Sequence, residues 1–268
     1  MKIQKITKSN AQFQIFESLK RSREKRNQYK SFIMEGVKPI NTFIENNGEV
    51  KSLIYKEGSQ LSNWAEEIIS SSKDSDVYEL SEDLYVQLSD RDDPSELLLV
   101  GGIKEQIIPK LSDNRSVFLV LDRPKNPGNL GSIIRSADAI GVNSILILGH
   151  ATDLYDPQTI RASIGSCFAT PVYNFESNNE FAEWLEEVKK KDGVKVLGTS
   201  ANGEGSLIGY SFPKHTILMM GNETSGLSNF LKEVSDELLT IPMNGVASSL
   251  NLACATTLAL YEINRGIN

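Results

Sequence analysis

Cysteine and histidine are scarce in this 268-residue chain, which holds two of each: Cys167, Cys254, His150 and His215. No grouping among them has the spacing of a metal site, so no metal is expected, and both thiols are read as reduced core residues. Long apolar runs are missing as well. Nothing approaches the roughly 18 residues of a membrane span, and the opening MKIQKITKSN lacks the apolar segment of a signal peptide. The expectation is a cytoplasmic protein with no membrane attachment. The G-x-G-x-x-G turn of dinucleotide folds is also absent, which removes the main support for a nicotinamide enzyme.

A net charge of −7 argues against indiscriminate nucleic-acid binding, because phosphate contacts need clustered Lys and Arg. The charge is unevenly spread. Residues 1–30 carry nine basic side chains (Lys2, Lys5, Lys8, Lys20, Arg21, Arg23, Lys25, Arg26, Lys30) against Glu17 and Glu24, a net +7, which leaves −14 on the rest. This asymmetry reads as a local basic surface that docks RNA through one region of an otherwise acidic protein. A solvated, helix-capping charge run would give the same count.

What is present is an ordinary globular composition, 40% hydrophobic and 24% charged, enough for one large or two medium domains. Phe13, Phe16 and Leu19 recur at helical spacing, which predicts a helix from about Asn10 to Arg26. Ser31–Met34 and Val50–Tyr55 read as short strands. Around residues 104–115, Pro109 and a polar run precede a strongly apolar strand, and the domain boundary is set there, with domains at 1–106 and 107–268. Beyond it, strands begin at Ser116, Ser144, Lys195, Thr216 and Glu237. They alternate with helices at about Asn129–Ala139, Glu180–Lys191 and Leu250–Arg265. Near-continuous Val, Ile and Leu in these strands indicates burial on both faces, hence a parallel α/β sheet covered by helices. Such sheets bind ligands at the carboxyl ends of their strands. Four strands end there in loops of small or polar residues: NPGNLG, GTSANGEG, GNETSG and IPMNG.

In the first loop Asn129 stands near a helix start and Arg135 follows about 1.7 turns later. Taken alone they read as an N-cap and a surface ion-pair residue. His215 is read as a surface residue before a strand. Met219, Met220, Met243, Phe181 and Trp184 are read as core filling. Ser249 and Asn251 flank the start of the last helix, with capping expected of Ser249.

Taken together the loops resemble the SpoU (TrmH-type) family of 2′-O-ribose RNA methyltransferases. Asn129, Gly131 and Arg135 match its first motif, and Gly221, Glu223, Gly226 and Leu227 its second. Ile241–Met243, Gly245 and Ser249–Asn251 match the third, and Arg161 to Gly165 looks like a segment between motifs. The match spans about residues 116–265. Ser9-Asn10, Arg21–Arg26 and Phe32–Gly36 resemble the family's substrate-binding domain, a small α/β module similar to certain ribosomal proteins.

The resemblance implies a C-terminal parallel α/β domain with a deep trefoil knot, a smaller N-terminal α/β domain, S-adenosylmethionine as cofactor, and a homodimer through the C-terminal domain. It implies a catalytic set of Asn129, Arg135, Glu223, Ser249 and Asn251. The cofactor pocket would be Thr199, Ser200, Ala201, Gly221, Asn222, Ile241, Met243 and Leu250. RNA contacts would come from Arg21, Arg23, Lys25, Arg26 and Arg161, with ribosomal RNA the preferred substrate. Transfer RNA, and a non-catalytic RNA-binding protein on the same fold, are the alternatives. The family's usual assignment makes the motif-one arginine the base. A guanidinium resists deprotonation, so stabilising the ribose alkoxide and gripping a phosphate are the physically easier roles for Arg135.

Overall fold

The computed structural model describes residues 3–265, so Lys2 lies outside the described residues. The first elements are β1 (Ile3–Ile6), α1 (Ala11–Arg21), α2 (Arg23–Tyr29), β2 (Ser31–Glu35), α3 (Val37–Glu45), β3 (Val50–Lys56), α4 (Asn63–Ser71), β4 (Asp76–Leu80), α5 (Glu82–Leu88) and β5 (Leu97–Gly102). Then come β6 (Ser116–Asp122), α6 (Pro127–Ile140), β7 (Ser144–Leu148), α7 (Pro157–Ser163), α8 (Ser166–Ala169), β8 (Val172–Phe175), α9 (Asn178–Lys189), β9 (Val194–Thr199) and β10 (Gly205–Ser206). The chain ends with β11 (His215–Met220), α10 (Asn229–Val234), β12 (Glu237–Thr240) and α11 (Leu252–Arg265). None of the described helices is long and apolar enough to cross a membrane.

These elements form two compact units, Met1–Glu105 with Tyr155–Ala169, and Gln106–Leu154 with Thr170–Asn268. A single boundary near residue 106 therefore misses one feature: α7 and α8 belong with the N-terminal unit. The reason lies in the aromatic residues. Phe32 of β2 stacks on Tyr155 at 4.8 Å and on Phe168 at 5.5 Å, and Phe43 of α3 meets Phe168 edge-on at 5.0 Å. Rings of this size bury much apolar area, so the excursion completes one face of the core.

The N-terminal sheet has the order β1-β4-β3-β5-β2, with β5 antiparallel to both neighbours and the other pairs parallel. Phe13, Phe16 and Leu19 are buried against it as their spacing predicts. The long helix expected from Asn10 to Arg26 instead breaks at Ser22. That residue is extended (φ −126°, ψ 117°), and its hydroxyl accepts from the Lys25 amide to start α2.

The C-terminal sheet is wholly parallel, in the order β10-β12-β9-β11-β6-β7-β8. Every residue of β6, β7 and β11 is buried, as expected of strands covered on both faces. Phe118, Val120 and Met219 join Phe181, Trp184 and Leu185 of α9 in one cluster. Along β6, Leu119 and Leu121 have the opposite parity and are buried on the other face. Helices α6 and α11 pack together, with the Ser136 and Thr257 hydroxyls 2.8 Å apart.

Two expectations are corrected here. His215 is not a surface residue but is 2% exposed at the start of β11, where burial lowers its pKa and its Nδ1 has no hydrogen-bond partner among the described residues. Cys167 is a core thiol, pushed up to about 12 by burial, whereas Cys254 is exposed on α11. Its helical phase puts it on the side away from Leu252, Thr256, Ala259, Leu260 and Ile263.

Candidate active site

Strand order locates the site before any side chain does. From β6 the chain builds outward through β7 and β8 on one side, then returns to lay β9, β11 and β12 on the other, so the order reverses between β6 and β11. An open parallel sheet has its crevice at the carboxyl ends of the two strands flanking such a reversal. The loops leaving β6 and β11 begin at Arg123 and Gly221, and those leaving β9 and β12 at Ser200 and Ile241.

Helix α6 starts two residues before the position its sequence predicts. Its cap is Asn126, whose Oδ1 accepts from the Asn129 amide nitrogen, with Pro127 in the first turn. Asn129 is thus not the cap, and its side chain is free to reach outward. Its Nδ2 donates to Glu223 Oε1 at 3.1 Å, and its Oδ1 accepts from Asn251 Nδ2 at 3.0 Å. At α11 the roles expected of Ser249 and Asn251 also change. Asn251 caps the helix, its Oδ1 accepting from the Ala253 amide, while Ser249 is exposed on the loop before it. Three residues from three distant segments therefore share one hydrogen-bonded set. Arg135 does not join it. It is exposed on α6, and no hydrogen bond or ion pair ties it to any described residue.

Beside this set lies a cleft of about 970 Å³. Its walls include Thr199–Ala201, Gly221–Leu227, Leu239–Met243 and Gly245–Leu250, so all eight expected pocket residues line it, as do Glu223 and Ser249. Backbone packs closely against backbone around it. A Cβ on Gly221 would lie 2.3 Å from the Leu227 nitrogen, and one on Gly203 2.6 Å from the Leu239 carbonyl carbon. The buried Asn222 spends its side chain on backbone: Oδ1 accepts from the Thr224 and Ser225 amides of its own loop, and Nδ2 donates to the Arg123 carbonyl of the loop leaving β6 at 2.7 Å. Its part in the wall is to shape the loop.

Residues 116–261 match the model of the SpoU rRNA methylase family, and residues 10–100 match the SpoU L30e-like domain. The chain belongs to the SpoU family. It is 37% identical over 265 residues to a 23S rRNA (uridine(2479)-2′-O)-methyltransferase of Streptomyces viridochromogenes, an alignment covering 97% of this chain and 92% of that protein. A 23S rRNA (guanosine(2553)-2′-O)-methyltransferase of Bacillus subtilis is 28% identical, covering 90% and 92%. The crystal structure of the SpoU methyltransferase AviRb from Streptomyces viridochromogenes, in complex with AdoMet, superposes with a TM-score of 0.90. It is 35% identical, covering 96% of this chain and 98% of that one. The fold class, a knotted parallel α/β domain behind a smaller α/β domain, is that of this SpoU group.

S-adenosylmethionine is the SpoU cofactor, and the cleft suits it chemically. Leu227, Leu239, Ile241 and Leu250 offer apolar area for an adenine ring, and the backbone-lined loops admit close approach. Sequence reasoning missed Lys232, the one cation among the described residues lining the cleft. It stands in the last turn of α10, outside the SpoU motifs, so only geometry reveals it.

The basic N-terminal segment needs a correction. Arg26 is 2% exposed: its Nη1 donates to the Leu19 and Lys20 carbonyls, and its Nη2 lies 3.6 Å from Asp156. It ties α1, α2 and α7 together and presents nothing to an RNA. Lys20 is likewise engaged by Asp90 and by the Gln87 and Ser89 carbonyls, and Arg21 pairs with Glu17 one helical turn away. Arg21 and Arg23 remain exposed and Lys25 half-buried. Arg161 is exposed on α7, within the N-terminal unit, donating to the Asp90 carbonyl.

Proposed function

We propose that this protein transfers a methyl group from S-adenosylmethionine to a ribose 2′-hydroxyl of large-subunit ribosomal RNA, as a homodimer joined through its C-terminal unit. The observation that carries this reading is the hydrogen-bonded set of Asn129, Glu223 and Asn251 beside a cleft walled by three strand-end loops. Ribosomal RNA is preferred over transfer RNA because two relatives that align along almost the whole chain, N-terminal unit included, are named for 23S rRNA. They differ in target base, uridine in one and guanosine in the other, and share the ribose 2′-oxygen as the site of methylation. We place the protein in the cytoplasm with its substrate.

Bound S-adenosylmethionine supplies an electrophilic methyl on a sulfonium. Thr199–Ala201, Gly221 and Ile241–Met243 would hold it, with Lys232 as the cation for its carboxylate. Glu223 holds the Asn129 amide in one orientation, with its carbonyl oxygen toward Asn251, which presets polar groups for a ribose. The Arg135 guanidinium stabilises negative charge on the 2′-oxygen, which lets a weak base, water included, take the proton.

Arg135 also gives a reason for the dimer. It lies outside the cleft of its own chain, on α6, which packs against α11. One face of α11 exposes Cys254, Leu258 and Tyr261 at helical spacing. A second copy seated on that face would cover the apolar stripe and bring the α6 arginines to an interface. The test is methyl transfer from labelled cofactor to ribosomal RNA of cells lacking the gene, with mapping of 2′-O-methyl sites and light scattering of the enzyme. One modified ribose and a dimer mass are expected. Label on a base, or no transfer, would reject the activity, and a single-chain mass would reject the dimer.

A further inference from the structure

Arg123 holds a left-handed backbone (φ 51°), which residues with a side chain seldom adopt. It sits where the site begins, directly after β6. Strain of this kind persists only where its surroundings enforce it, and here they do so from several sides. The Arg123 amide donates to the Leu148 carbonyl at 2.9 Å. Gly149 leaves room for its stem, since a Cβ there would come within 2.7 Å of Arg123 Cγ. Its guanidinium grips Asp122 with two prongs, Nε to Oδ1 at 2.7 Å and Nη2 to Oδ2 at 3.0 Å.

The Asp122 carboxylate is 4% exposed, so its oxygens must find their hydrogen-bond partners within the protein. Its third bond comes from the Ser228 amide at 2.7 Å, at the residue whose hydroxyl caps α10. The Arg123 carbonyl, turned by the left-handed backbone, accepts from Asn222. Asp122 thus holds the far end of the loop 221–228 and Arg123 the near end. Between these two anchors stands Glu223, the partner of Asn129, and the tight approach of Gly221 to Leu227.

We propose that Asp122 and Arg123 are positioning residues for methyl transfer: together they lock the loop 221–228 so that Glu223 meets Asn129 and the cofactor wall keeps its shape. The methyl-transfer arm of this inference rests on the function proposed above; its structural arm does not. Neither residue touches the cleft. Both act through the loop.

Arg123→Gly is the informative variant, because glycine keeps the left-handed turn without strain while it removes the side chain, stem and guanidinium together. Hydrogen exchange at Thr224, Ser225, Gly226 and Ser228 should speed up by about tenfold or more, with amides of β7 and β8 unchanged. Affinity for S-adenosylmethionine, read by calorimetry, should weaken by about tenfold. Turnover should fall by about tenfold or more while KM for RNA stays within about twofold. Arg123→Lys, which keeps the charge but loses the two-pronged grip, should recover part of each loss. Asp122→Asn should repeat the Arg123→Gly pattern. Should the wild type prove unable to methylate RNA, exchange and cofactor affinity still decide the matter. Unchanged loop exchange in Arg123→Gly, or acceleration spread evenly over the C-terminal unit, would overturn the proposal.

Discussion

In the N-terminal unit β2 and β4 pass into the following helices through one residue each, Gly36 and Ser81, whereas in the C-terminal unit eight residues separate β11 from α10 and eleven separate β12 from α11. Both units set helices against a sheet, mixed in the first and wholly parallel in the second. What differs is the backbone left outside the sheet. Short connections close the strand ends of the first unit, so what it offers a ligand is mainly a charged exterior. Long connections in the second fold back on one another, through Gly221 and the bridge between Asn222 and Gly226, and wall a cleft. On the function proposed above, cofactor and chemistry would fall to the second unit and RNA contacts to the first.

The sharpest way to break that division is at Asn129. Asn129→Ala should cut methyl transfer by about a hundredfold, since it removes the centre of a preset polar group. Cofactor affinity by calorimetry and RNA retention on filters should hold. A parallel loss of cofactor binding would mean that chemistry and cofactor site cannot be separated.

The next largest effect separates Arg26 from its basic neighbours. Arg26→Ala leaves the Leu19 and Lys20 carbonyls without their donor and should destabilise the protein by about 2–4 kcal/mol in denaturant unfolding. Replacing Arg21, Arg23 and Lys25 together should leave the unfolding midpoint nearly unchanged, weaken RNA binding and flatten its salt dependence. If the triple variant bound RNA normally, the docking surface would lie elsewhere.

A smaller effect is expected at Lys232. As an exposed cation its contact with a carboxylate is worth little, so Lys232→Met should weaken S-adenosylmethionine by about fivefold at most. Affinity for 5′-methylthioadenosine, which has no carboxylate, should not change, and an equal loss for both ligands would remove the charge contact.

The smallest effect is pH dependence at the amino end of a central strand of the C-terminal sheet. His215 has a pKa lowered below its ordinary 6.5, first by burial and then by Lys191 and Lys214, with Asp113 opposing. The unfolded chain takes up the proton near pH 6.5 while the folded chain resists it. Stability contributed by the neutral form is therefore complete above that pH and is lost as pH falls through the lower folded value. Chemical unfolding at pH 7 and pH 5 should show this loss, and His215→Leu should reduce it.

The strand-end loops were legible in the sequence as places for a ligand from their small and polar residues, but the pocket residues within them were identified only by the resemblance to the SpoU family. Side-chain direction was less legible. Both Asn126 and Asn129 suit a helix cap, and only the actual start of α6 at Pro127 decides that the first is spent on the backbone and the second reaches Glu223. Ser249 and Asn251 pose the same ambiguity at α11, with the opposite outcome from the one expected. Charge counting failed at Arg26 because formal charge says nothing of burial: a helix break at Ser22 turns that side chain inward. Tyr155 and Phe168 gave no sign of belonging with Phe32, which lies more than a hundred residues earlier. Local patterns do not register a contact at that separation.

The place of residues 155–169 in the first unit bears on how the protein is made. A ribosome that has released Glu105 has delivered the five-stranded sheet but not the rings that cover Phe32 and Phe43, and another 64 residues must emerge before Ala169 is available. At about 5–20 residues per second that is a wait of roughly 3–13 seconds. During it the nascent N-terminal unit exposes an aromatic face to any chaperone at the tunnel exit, while β6, α6 and β7 of the second unit are already out. Synthesis of the second unit therefore begins before the first unit has all of its core.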